Sequence, residues 1–231
     1  MALRAVIFDY GKVLSALPDA DAHTGLVETA GVPDEVFEEH YWAHRHAYDA
    51  GELNGVTYWQ TVAKGAGFEL TAERLAALHH HDELMWANLN APMVEWAAAL
   101  QQSGIKTAIL SNMGEINLAY MRKHFGWLEG FTHLTWSCEV LTAKPDPEIY
   151  QHTLEKLAVK AEETIFLDDL ERNIDAARAI GIDGILFTDV AQLRRDLEAR
   201  GLAGKIPFPE EEPSTFDPAE ADAETEQRTT R

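Results

Sequence analysis

AVIFDYGKVL, residues 5–14, sets an apolar run directly against an acid: Ala5 to Phe8 are all core-forming, Asp9 follows at once, and Gly11 comes two residues later. A run this short with no polar face has the length and composition of a strand buried on both sides, as parallel strands are. Three more runs share that form: KTAILSN (106–112), TIFLDD (164–169) and DGILF (183–187). LTWSCEV (134–140) adds a plausible strand. Helical stretches lie between them. Pro92 suits the first turn of one helix and Gly104 its end. Asp146 and Pro147 suit the N-cap and first residue of another. In LERNIDAARAIG (170–181), Leu170, Ile174, Ala177 and Gly181 share a face, with Gly181 placed to end the helix. The alternation predicts an α/β fold, a Rossmann-like parallel sheet with helices on both faces.

Residues 15–91 break the alternation. DEVFEEHYWAHRHAYDA, VTYWQTVAKGAG and TAERLAALHHHDELMWANL are periodic helical segments without strand signals. The chain therefore divides into a core of residues 1–14 and 92–206, a helical insertion of 15–91, and a tail of 207–231. The tail is rich in proline and acid and poor in large apolar side chains. It cannot bury enough surface to offset its ordering entropy, and disorder is expected there.

With 46% hydrophobic residues the chain can build a substantial core. No apolar run is long enough to span a membrane, the first residues carry no signal-peptide pattern, and Cys138 stands alone. A cytoplasmic protein is expected. A net charge of −20 argues against nucleic acid and anionic membranes as partners. Oligomeric state is not legible.

In an open parallel sheet, ligands bind beyond the carboxyl ends of the strands. Asp9, Ser111 with Asn112, and Asp168 with Asp169 all fall at such ends, and Lys144 follows a fourth strand. One strand-terminal Asp is most simply a cap; four polar ends in this order are hard to explain by capping.

The sequences FDYGKV, ILSN, KPDPEIY and FLDDLERN, in this order, resemble the four motifs of the haloacid dehalogenase-like (HAD) hydrolase superfamily. The resemblance covers roughly residues 1–200 and likens the insertion to a helical cap. Within the superfamily, the chain is similar to bacterial α-D-glucose-1-phosphate phosphatases. The resemblance implies a Mg²⁺-dependent phosphomonoesterase acting on a small phosphorylated metabolite, a sugar phosphate foremost. Asp9 would be the nucleophile. Asp9, the Gly11 carbonyl and Asp169 would hold Mg²⁺, with Asp168 a second ligand or a support. Lys144 would pair with Asp9 and the phosphate, Ser111 and the backbone at Asn112 would bind phosphate oxygens, and Asn173 would support the acidic loop.

Gly11 stands where most superfamily phosphatases carry an Asp that protonates the leaving group, help typically worth about 10²- to 10⁴-fold. A hemiacetal leaving group, as in a sugar 1-phosphate, needs less of it. Lys12 is expected to face solvent, since strand neighbours point to opposite faces. His40, His44 and His46 on one helix and His79 to His81 on another are alternative proton sources. His40 and His44 have the spacing of a metal pair, although a packed helix face explains them as well. Two other readings remain. A 2-haloacid dehalogenase would use the same Asp nucleophile without metal, but lacks the acidic pair kept here. A catalytically impaired binder of phosphate esters would show binding without turnover. Cys138 is expected in a strand as a small core residue. Most of Trp42, Trp59, Trp86 and Trp96 are expected in packing, with one or two available to line a sugar pocket.

Overall fold

In the computed structural model, which describes residues 3–210, five parallel strands run in the order β3-β2-β1-β4-β5. They are β1 (Ala5–Phe8), β2 (Lys106–Ser111), β3 (His133–Trp136), β4 (Thr164–Asp168) and β5 (Asp183–Leu186). The chain steps outward from β1 to β3, then crosses back to the other side of β1 for β4 and β5. The reversal opens a crevice between the carboxyl ends of β1 and β4, the usual ligand position in such sheets.

The sheet is covered on both faces, which is why its strands read as unbroken apolar runs. Val6, Phe8, Ile109, Ile165, Leu167 and Ile185 pack on one side against α6 (Ala91–Gln102), α7 (Glu115–His124) and α11 (Val190–Ala199). Ala5, Ile7, Ala108, Leu110 and Phe166 pack on the other against α9 (Pro147–Leu157) and α10 (Glu171–Ala179). Alternate residues supply the two layers, as the pleat requires. Asp146 caps α9, its side chain accepting from the Glu148 amide at 3.0 Å. Gly181 takes a left-handed φ of 93° just beyond α10.

Residues 20–85 form α1 (Ala20–Ala30), α2 (Asp34–Ala43), α3 (Arg45–Asp49), α4 (Gly55–Ala66) and α5 (Ala72–Met85). These helices enclose their own core around Leu26, Phe37, Tyr41, Tyr58, Trp59 and Leu78. The two connections to the sheet domain are joined: Ala16 donates to the Asn88 carbonyl and Asn90 to that of Leu14, each at 2.8 Å.

Four expectations need correction. LTWSCEV is strand only through Trp136; the chain then turns into α8 (Ser137–Val140), so Cys138 leaves the sheet and is half-buried beside the main core. The segment 34–50 is two helices, because His44 (φ −117°, ψ 3°) breaks the helical path. His40 and His44 therefore do not share a continuous helix face. Lys12 is not on a strand: residues 10–14 form a wide turn with Lys12 at φ 56°, closed by Ser15 donating to the Tyr10 carbonyl at 2.8 Å. Strand alternation no longer sets the direction of its side chain. Finally, the start of the supposed disordered tail is docked. Trp96 Nε1 donates to the Pro207 carbonyl at 2.8 Å, and Phe208 packs on the core under the Arg194 guanidinium. Residues 211–231, where the rest of that expectation falls, lie outside the described residues.

Candidate active site

β1 delivers Asp9 to the crevice, where its amide donates to the Leu167 carbonyl of β4 at 2.8 Å. Asp9 Oδ1 accepts from its neighbour's amide, Tyr10 N, at 2.7 Å, and from Lys144 Nζ at 2.8 Å. The same ammonium lies 2.6 Å from Asp168 Oδ2. Lys144 is only 2% exposed and is thus a buried cation held between two buried carboxylates. Its loop is fixed by Asn112, whose side chain accepts from the Lys144 amide (2.8 Å) and donates to the Lys144 carbonyl (2.9 Å).

Asp168 is fully occupied by the protein. Asn173 Nδ2 donates to both its oxygens (2.9 and 3.0 Å), the Leu170 amide to Oδ1 (2.9 Å), and Lys144 to Oδ2. Asp169 is partly exposed and meets Lys12 Nζ at 3.0 Å. Oxygens of Asp9, Asp168 and Asp169 all lie within 4.8 Å of one another. Lys144 and the half-exposed Lys12 leave this trio short of positive charge. Asp9 records the shortage: burial, against the pull of Lys144 and aided by Asp168 and Asp169, raises its pKa to about 7. Lys144 is raised too; burial lowers it, but Asp168 and Asp9 together outweigh that. A cluster of hard carboxylate oxygens with unmet negative charge fits a small divalent cation such as Mg²⁺.

These groups floor a cavity of about 380 Å³ roofed by the helical insertion. Asp9, Gly11, Ser111, Asn112, Lys144, Asp169 and Asn173 all line it. Asp168 does not; it lies behind Asp9 and Lys144, completely buried. Lys12 is exposed, as expected, and also lines the mouth of the cavity. Of the insertion's histidines named above, only His46 reaches it. His40 packs over Gly65 and His81 over Gly25. Trp42 and Trp86 line the cavity, while Trp59 and Trp96 are buried in the cores.

Sequence reasoning missed a second charged centre in the roof. Arg45, buried at 8% exposure, donates from Nε to Asp49 Oδ1 at 2.9 Å and from Nη1 to Asp82 Oδ1 at 3.0 Å and to the Tyr41 hydroxyl. Arg45 and Asp49 both line the cavity. The one sequence signal was the i, i+4 spacing of Tyr41, Arg45 and Asp49, which equally describes an exposed helix pair. Burial raises Asp49 to about pH 6 although Arg45 opposes it. Tyr10 joins roof to floor, its buried hydroxyl donating to the Trp86 carbonyl at 2.6 Å.

Comparison with known proteins gives one family match, haloacid dehalogenase-like hydrolase, over residues 3–181. Bifunctional epoxide hydrolase 2 of Sus scrofa is 30% identical over 246 residues, covering 95% of this chain and 42% of that protein. The chain thus spans less than half the length of the bifunctional epoxide hydrolases it matches. Among solved structures, a HAD family enzyme of Bacteroides thetaiotaomicron in complex with magnesium and inorganic phosphate superposes with a TM-score of 0.66. It is 19% identical, over 83% of this chain and 99% of that one. The L-2-haloacid dehalogenase of Xanthobacter autotrophicus superposes with a TM-score of 0.59 at 20% identity, over 99% and 100% of the two chains.

Proposed function

Because the chain belongs to the haloacid dehalogenase-like hydrolase family, we propose that it is a phosphatase. It hydrolyses a small phosphomonoester, a sugar phosphate foremost, through a phosphoryl group carried on Asp9. The observation that carries this reading is the acidic trio Asp9, Asp168 and Asp169, with oxygens within 4.8 Å of one another and only Asp9 and Asp168 paired with the buried Lys144. A dehalogenase attacking a neutral carbon has no need of so much negative charge. An enzyme that brings a carboxylate up to a phosphate must neutralise it with a cation.

Asp9 and Asp169, with the Gly11 carbonyl, are the residues that would hold Mg²⁺. When bound, it supplies Lewis-acid neutralisation of the phosphate. Asp168, with every oxygen already engaged, instead positions Lys144. Asp9 attacks phosphorus, the bond to the leaving oxygen breaks, and water later cleaves the aspartyl-phosphate. Lys144 holds Asp9 in line and offers its charge to a phosphate oxygen. The Ser111 hydroxyl and the Asn112 amide serve the oxygens that gain charge in the transition state. Trp42 and Trp86 suit the C–H faces of a sugar.

The test is phosphate release from a panel of phosphomonoesters, α-D-glucose 1-phosphate included, with Mg²⁺ and with a chelator. Release that requires Mg²⁺ is expected, with sugar phosphates ranking first. Halide release from 2-chloropropionate without phosphate release would favour the dehalogenase reading. Binding without turnover would favour the impaired-binder reading.

A further inference from the structure

Gly11 leaves the floor of the cavity with no side chain to protonate a leaving alcohol, and an alkoxide is a poor leaving group. On the floor Lys12 is paired with Asp169 and Lys144 with Asp9 and Asp168, which leaves the roof, across the cavity from Asp9, as the place for a proton source. Among the described residues, the roof offers two titratable side chains besides Arg45: Asp49 and His46. We propose that Asp49 is the general acid and base of this site, acting from the insertion in place of the missing side chain at position 11. This rests on the phosphatase reading above.

Four observations carry it. Asp49 lines the cavity that Asp9 and Gly11 line. Its side chain is 14% exposed and anchored on one oxygen only: Arg45 holds Oδ1, and no other described residue bonds the carboxylate. Its backbone is tied to the floor, since the Ser137 hydroxyl donates to the Asp49 carbonyl and accepts from the Met113 amide at 2.8 Å. That chain of bonds fixes Asp49 relative to the loop that follows Ser111. His46, by contrast, is exposed, and no hydrogen bond holds its side chain among the described residues. The charge around Asp49 agrees. Arg45 and His46 face it from α3, Asp82 from α5, Tyr58 from α4 and Cys138 from α8, and burial prevails over Arg45 to hold its proton up to about pH 6.

The step balances. As Asp9 bonds to phosphorus and the ester P–O bond breaks, the Asp49 proton passes to the departing oxygen, giving a neutral alcohol and an Asp49 carboxylate. That carboxylate then takes a proton from water as the water oxygen attacks phosphorus. Asp9 is freed, phosphate leaves and Asp49 is protonated again.

The experiment compares Asp49→Asn with wild type on an alkyl phosphate and on p-nitrophenyl phosphate, whose leaving group departs without a proton. The kcat/KM value covers only steps up to the first product's departure. It should fall about 10²- to 10⁴-fold for the alkyl ester and far less for the aryl ester. With the aryl ester, phosphorylated Asp9 should accumulate, since the second step has lost its base. Gly11→Asp in the Asp49→Asn background should restore the alkyl ester. Position 11 has φ −60°, and a Cβ there meets nothing closer than the Trp86 ring at 3.6 Å. An equal fall for both esters would assign Asp49 to structure and overturn the proposal. So would no fall, or the same selective loss from His46→Gln alone. If wild type released phosphate from neither ester, the phosphatase reading itself would fail and the proposal with it.

Discussion

Lys144 and Asp9 are each meaningful only through the other. A lone carboxylate at the end of a buried strand would be a cap; with a buried ammonium at 2.8 Å and two more carboxylates beside it, it becomes a reactive group short of counter-charge. The shortage predicts a pH effect. The folded-state pKa of Asp9, about 7, lies above its ordinary value of 3.8, so the folded protein binds the extra proton more tightly than the unfolded chain. The contribution of Asp9 to stability is full below the lower value and is lost as pH rises through the upper one. Without divalent metal, Asp9→Asn should therefore melt above wild type at pH 8 and close to it at pH 4. A lower melting temperature at pH 8 would show that the ion pair with Lys144 outweighs burial. Asp9, Lys144 and Ser111 were legible in the sequence because each sits where an apolar strand or its following loop ends. The pairing of Lys12 with Asp169 was not: it depends on a left-handed backbone angle that no local pattern announced.

Elements were legible where burial pattern and capping agreed. The four other strands are buried on both faces, and the caps of α9 and the end of α10 follow from Asp146 and Gly181. β3 was overextended because Leu134, Trp136, Cys138 and Val140 alternate with polar residues at the period of a strand, although the chain turns into α8 at Ser137. The segment 34–50 gave no sign of its break at His44. The cluster of Arg45, Asp49 and Asp82 was invisible for a simpler reason: Arg45 and Asp82 are 37 residues apart, on α3 and α5. This cluster ties two helices of the insertion through buried charge. Removing one partner of such a pair typically costs about 3–5 kcal/mol, because the other charge is left buried. Arg45→Ala, which leaves both Asp49 and Asp82 without their cation, should destabilise the protein by that order in urea unfolding. A loss below about 1 kcal/mol, the range of exposed pairs, would mean that the two carboxylates find water or a proton instead.

At the scale of the whole molecule, the chain carries a net charge of −20 yet is assigned an anionic substrate. Lys144 offsets part of this locally, and a bound cation would supply the rest. Among the described residues no helix is long and apolar enough to cross a membrane. Stability should respond to the cation. At about a hundredfold excess over Kd, a ligand that binds only the folded state adds about 2.7 kcal/mol. For a chain of this size that corresponds to a rise in Tm of roughly 5–10 °C. Mg²⁺ should produce such a rise, a chelator should reverse it, and Asp169→Asn should remove most of it. An equal rise in the variant would place the cation elsewhere.

Phosphoryl transfer to Asp9 is read by acid-quenched mass spectrometry during turnover with Mg²⁺ and p-nitrophenyl phosphate. A protein species heavier by one phosphoryl group is expected, mapped to the peptide containing Asp9 and absent from Asp9→Asn. Turnover with no such species, or with the same species in Asp9→Asn, would contradict it.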